Sequence, residues 1–185
     1  MDIPVAKAKE KRIEQLRALL EELGAVDVNC DFKQINLQTS VIRDPKRIEE
    51  ISKSAFEKGS HIYYFTVNDG KTLGDQYNTE TLNKDYKYAK YNKIIVERDA
   101  KNSCVYVGSC SKIKLADRFL QHCGHKARST YSLQLARWLD KDVELNFTFY
   151  YVHVDTSPEV LQQLEEGLRS LLNPMFGKAG PNNKA

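Results

Sequence analysis

Apolar residues recur along this chain with two periods, and the switches between them mark out its elements. From Pro4 to Leu23, apolar residues stand at Ile13, Leu16, Leu19, Leu20 and Leu23, an amphipathic helical spacing closed by Gly24. Asp27 to Ile42 mixes alternation with polar residues and predicts irregular chain with room for a short strand. Asp44-Pro45 then opens a helix, with the aspartate as cap, Ile48, Ile51 and Phe56 on its apolar side and Gly59 as terminator. His61 to Val67 is dense in Ile, Tyr, Phe and Val and predicts a strand that Asn68-Asp69-Gly70 ends. Ile94-Ile95-Val96 predicts a further strand, and Asp99 to Asn102 a turn out of it.

The second half repeats this alternation. Cys104-Val105-Tyr106-Val107 runs into Gly108 and then into a helix carrying Leu115, Ala116, Phe119, Leu120 and Cys123, closed by Gly124. Ala127 to Trp138 predicts another helix, capped by Ser129 or Thr130 and using Leu133, Leu135, Ala136 and Trp138. Val143 to Val154 alternates and predicts a central strand. Pro158 begins the last helix, capped by Thr156 or Ser157 and buried through Val160, Leu161, Leu164, Leu168, Leu171 and Leu172.

With 185 residues, 41% hydrophobic and 29% charged, the chain is long enough to bury a core and too apolar for a disordered one. A net charge of +3 permits a polyanionic partner without demanding one. No apolar run reaches membrane-spanning length, and the N-terminus turns charged by Lys7 without a signal-peptide core, so the expectation is a soluble, cytoplasmic protein with no membrane partner. The four cysteines, Cys30, Cys104, Cys110 and Cys123, form no Cys-x-x-Cys pair, which argues for reduced thiols. The N-terminal helix either packs on the body or offers a dimer contact.

Charge patterning adds candidate chemistry. Between Asn83 and Lys93, Tyr86, Tyr88 and Tyr91 alternate with Lys84, Lys87, Lys90 and Lys93. Such a segment can lay ammonium groups on phosphates and rings on bases, or form a solvated surface. Lys126 and Arg128 are placed to reach a phosphate as well. Arg118 and His122 lie one helical turn apart at the rim of an apolar arc. Glu165 sits at the edge of the leucine stripe of the last helix, where a carboxylate needs a partner or a cation, whereas Glu166 points away.

Tyr106-Val107-Gly108, then Arg118-x-x-x-His122, an upstream strand containing His61-Ile62-Tyr63, and Glu165 nine residues before Pro174 together resemble the GIY-YIG nuclease family, in the family's order. The resemblance implies an α/β (α+β) fold with a small, mostly antiparallel central sheet flanked by helices. Residues 1–59 would be an N-terminal helical extension and 60–185 the nuclease-like domain, with an insertion at 69–93. It implies metal-dependent hydrolysis of a nucleic-acid phosphodiester, DNA ahead of RNA, with Mg²⁺ or Mn²⁺ as the only cofactor. Glu165 would hold the metal, Arg118 would neutralise phosphate charge, and Tyr63 would be the general base, which asks that its pKa fall from about 10. His122 and Tyr106 would orient water and phosphate or take the phenolic proton. Ser109 stands where some relatives carry a lysine, and Gly177 where many carry an asparagine. Two rivals are a zinc site built from Cys110, His122, Cys123 and His125, and a non-catalytic nucleic-acid-binding module on the same fold.

Overall fold

A computed structural model describes residues 5–26, 31–80, 101–111, 113–126 and 131–177. The Tyr/Lys stretch with Lys84, Tyr86, Lys87, Tyr88, Lys90 and Lys93, the expected strand at Ile94 to Val96, and Arg128 lie outside them.

Among the described residues, four strands form one antiparallel sheet: β1 (Lys33–Gln38), β2 (His61–Asp69), β3 (Lys101–Cys110) and β4 (Asn146–His153), in the order β1-β4-β2-β3. The α-helices described around it are α1 (Val5–Ala25), α2 (Thr39–Arg43), α3 (Pro45–Ser54), α4 (Gly70–Glu80), α5 (Leu115–Cys123) and α6 (Pro158–Leu172). The α+β expectation therefore holds, and β4 is central, as its alternating apolar residues require.

Because side chains alternate across a strand, each β2 residue has a fixed side. Tyr63, Phe65 and Val67 share a face with Phe147, Phe149 and Tyr151 of β4, and α3 and α5 cover it through Ile48, Leu115, Phe119 and Cys123. On the opposite face Ile62 packs with Val152, Val154, Leu161, Leu164 and Leu168 under α6, and Val26 joins from beyond α1. Next to them Tyr64 stacks on Tyr150 with centroids 4.5 Å apart. α1 rests on α6, and Glu22 accepts from the Ser157 amide at 3.0 Å, while Ile13, Leu16 and Leu20 remain exposed.

Several expectations change. The stretch 1–59 is not purely a helical extension, because β1 pairs with β4 from Lys33↔Tyr151 to Gln38↔Asn146 and completes the sheet. α3 stops at Ser54, well before Gly59; its start is as expected, since Asp44 accepts from the Lys46 and Arg47 amides. Asn68-Asp69-Gly70 leads directly into α4, where Asp69 accepts from the Thr72 amide at 3.0 Å and its hydroxyl at 2.7 Å. Leu73 and Tyr77 of α4 then join the core, so the insertion begins as part of the body. The expected Ala127–Trp138 helix is absent over its described part. Residues 131–138 instead wrap around α5 with a single 3-10 turn at Leu135–Arg137, and Gln134 takes a left-handed φ of 51° that no α-helix tolerates.

Candidate active site

The site is set by β3, which lies at the edge of the sheet among the described residues. Phe65 pairs with Tyr106 but Thr66 with Cys104, which makes Val105 the extra residue of a bulge. Bulges bend a strand and re-aim its side chains. Here the bulge lies directly before Tyr106, whose ring stands 6.2 Å from that of Tyr63 and 4.6 Å from that of His122.

Gly108 faces Tyr63 across the ladder. A Cβ there would lie 2.6 Å from the Tyr63 hydroxyl and 2.7 Å from the Tyr106 ring, so the two tyrosines fit only around a glycine. α5 supplies the remaining partners. It ends at Gly124, whose φ of 98° lets its amide reach the Gln121 and Leu120 carbonyls and turns the chain back toward residues 131–138.

Arg118 Nε donates to the Tyr63 hydroxyl oxygen at 3.2 Å, and His122 Nε2 lies 3.2 Å from the same atom. Gln121 holds the guanidinium in place, accepting from Arg118 Nη1 at 2.7 Å. On its far side the His122 ring meets residues 131–138, where the Leu133 amide donates to Nδ1 at 3.2 Å. The Ser132 hydroxyl donates to the Gln121 carbonyl, and Trp138 Nε1 to the Leu133 carbonyl at 2.6 Å.

The opposite wall comes from α6. Ser109 donates its hydroxyl to Glu165 at 2.6 Å, and Arg169, one turn further on, lies 3.8 Å from the other Glu165 oxygen. Arg169 is 8% exposed, donates to the Val107 carbonyl at 3.3 Å, and has no hydrogen-bond partner for Nη1 among the described residues. Gly177, with φ at 111°, lies against this guanidinium and the Tyr106 ring, where an added Cβ would stand 3.0 Å from Arg169 Nη1.

Electrostatics follow from burial. Tyr63 and His122 are both 0% exposed. Burial raises the Tyr63 phenol above its ordinary value, with the Arg118 charge opposing it only in part, which is the reverse of the fall that the general-base expectation asked for. Burial, then Arg118, holds His122 well below the usual imidazole range, so it is neutral. Tyr106 is also raised by burial, with Arg118 and Arg169 acting to lower it and Glu165 to raise it. Cys110 is raised by burial to about 11, which keeps it a thiol.

The structure thus brings Tyr63, Tyr106, Arg118 and His122 together and holds Glu165 on Ser109 of the same strand β3, and it adds Gln121, Ser109 and Arg169, which sequence reasoning did not assign. Arg169 carried a visible signal, its i, i+4 spacing from Glu165; Gln121 carried none. Lys126 is exposed and ion-paired with Asp117. The zinc alternative fails: His125 Nε2 lies 2.6 Å from the Ile42 carbonyl, His122 faces Tyr63, and no metal-binding group of three His, Cys, Asp or Glu occurs among the described residues. A hard divalent cation makes a different demand, since Mg²⁺ is held by one or two carboxylates and keeps most of its water. Glu165 fits that demand, because its neighbours fix the carboxylate and each oxygen retains lone pairs.

Among the described residues no helix is long and apolar enough to cross a membrane. Comparison with known proteins found no matching family model, no matching curated protein and no matching solved structure.

Proposed function

We propose that this chain is a GIY-YIG-type endonuclease that hydrolyses a nucleic-acid phosphodiester, DNA ahead of RNA, with Mg²⁺ or Mn²⁺. One observation carries the proposal: Arg118 of α5 holds the Tyr63 hydroxyl on one side of β3, while Ser109 of β3 tethers the Glu165 carboxylate of α6. These are the parts that attack on phosphorus requires.

Glu165 would hold the cation, oriented by Ser109 and Arg169. Bound there, the metal supplies charge for the non-bridging and leaving oxygens. Arg118 neutralises phosphate charge with the donors not committed to Tyr63 and Gln121. Tyr63, once ionised, takes the proton of the attacking water. Tyr106 positions the phosphate between Arg118 and Glu165.

Full burial of Tyr63 favours a second reading, a nucleic-acid-binding module in which the tyrosine cluster is only a core. Labelled single- and double-stranded DNA and RNA, incubated with Mg²⁺ and then with EDTA, separate the two. The nuclease reading expects EDTA-sensitive cleavage in at least one lane and its loss in Glu165→Gln, with nucleic-acid binding kept. Binding without cleavage in every lane selects the module.

A further inference from the structure

The environment of His122 bears directly on what that residue does to Tyr63. A backbone N–H is always a donor, and the Leu133 amide points at Nδ1 from 3.2 Å. A hydrogen on Nδ1 would face that N–H head-on, so Nδ1 carries the lone pair. A neutral imidazole has one N–H, and it must then sit on Nε2. Nε2 is the atom 3.2 Å from the Tyr63 oxygen.

We propose that the Leu133 amide sets His122 as a hydrogen-bond donor to Tyr63, so that His122 and Arg118 together hold the Tyr63 oxygen ready to carry negative charge, and His122 is not the acceptor of the phenolic proton. This rests on the reading of Tyr63 as the base. The alternative relay, in which Tyr63 donates to a waiting imidazole lone pair, needs the other tautomer and would cost the Leu133 hydrogen bond.

Two supports come from other elements. The wrapped segment 131–138 is anchored on both sides of Leu133, by Ser132 on the Gln121 carbonyl and by Trp138 Nε1 on Leu133's own carbonyl, so the amide is held in place. The titratable neighbours of Tyr63 are Arg118 and His122 from α5 and Tyr106 and Cys110 from β3; all but Arg118 are neutral, so none offers the proton a strong acceptor. The phenolic proton therefore passes to none of these four groups. His122 is a positioning residue in this scheme.

The experiment uses the full ¹⁵N-labelled chain without substrate. A long-range ¹H–¹⁵N spectrum, assigned by difference against His122→Gln, is expected to show the ring protonated on Nε2 alone. With substrate added, cleavage should slow by roughly 10- to 100-fold in His122→Leu and by clearly less in His122→Gln, whose amide can donate from the same place, because a hydrogen bond to a charged group is worth that much. A ring protonated on Nδ1, or equal losses of rate in the Gln and Leu variants, overturns the proposal. If His122→Leu does not fold, the wild-type spectrum still decides. A failed cleavage assay with an Nε2–H ring defeats the nuclease reading alone, whereas cleavage with an Nδ1–H ring defeats this inference alone.

Discussion

Replacing Gly108 by alanine tests the heart of the site without assuming any activity. Gly108 does not have a positive φ, so alanine meets no backbone penalty there, and on chain entropy alone the change should stabilise by about 0.4–1 kcal/mol. Against this, the new Cβ would stand 2.6 Å from the Tyr63 oxygen, 2.7 Å from Tyr106 Cε1 and 2.8 Å from Tyr63 Cζ, where ordinary contacts begin near 3.4 Å. Tyr63 must retreat by close to 1 Å. Its bonds to Arg118 and His122, both 3.2 Å, would then exceed hydrogen-bond length. Overpacking costs roughly 1–3 kcal/mol and each lost bond about 1 kcal/mol, so destabilisation of about 2–5 kcal/mol wins over the entropic gain. In a chain of this size that lowers Tm by roughly 5–20 °C. Thermal and urea unfolding of Gly108→Ala, Tyr63→Phe and the double variant provide the assay. Removing the Tyr63 oxygen should relieve part of the clash and give a coupling of about 1–2 kcal/mol. A neutral or stabilised Gly108→Ala protein would refute the packing argument, and with it the idea that this glycine exists to admit two tyrosines.

The remaining predictions are independent of that one. Tyr63→Phe should slow cleavage by roughly 10²–10⁴-fold, while Tyr64→Phe, on the opposite face and stacked on Tyr150, should leave it nearly intact; equal small effects in steady-state assays would remove Tyr63 as base. The folded state keeps His122 deprotonated while the unfolded chain takes a proton near pH 6.5, so stability should fall as pH drops below that value, by up to about 1.4 kcal/mol per unit. Urea midpoints between pH 7 and 5 should show the slope, His122→Gln should reduce it, and an unchanged slope in that variant would assign it elsewhere. Gly167, inside α6 with nothing within 4 Å of an added Cβ, should become alanine with a gain of roughly 0.5–1 kcal/mol, and a loss in thermal unfolding would contradict its open surroundings.

Elements with a strong period were legible in the sequence, and elements whose shape depends on distant partners were not. β2, β4, α5 and α6 follow from their apolar spacing, and the caps at Asp44 and Ser157 follow from residue type. Residues 131–138 misled because Leu133, Leu135, Ala136 and Trp138 are spaced for a helix; what decides their path is the Leu133 amide on His122 and the Trp138 indole on Leu133, contacts that no local pattern carries. β1 fills the room left for a short strand in Asp27 to Ile42, but with only Ile35 and Leu37 apolar the alternation is too short to fix its bounds. Tyr63, Tyr106, Arg118, His122 and Glu165 were singled out by the family resemblance rather than by spacing alone. Their burial was invisible, because exposure of a tyrosine ring depends on the whole fold.

The outer edge of β3 is closed late in the chain. Met175 and Phe176 donate their amides to the Cys104 and Val105 carbonyls, and Arg169 caps Val107 from 62 positions downstream. During synthesis at roughly 5–20 residues per second, β3 therefore waits about 3–12 s for these contacts, and an unpaired strand edge is the condition under which strands of neighbouring nascent chains pair wrongly. The same residues that close the edge also bring Glu165 and Arg169 to Tyr106, so the edge and the site are completed together as a single late event of biogenesis.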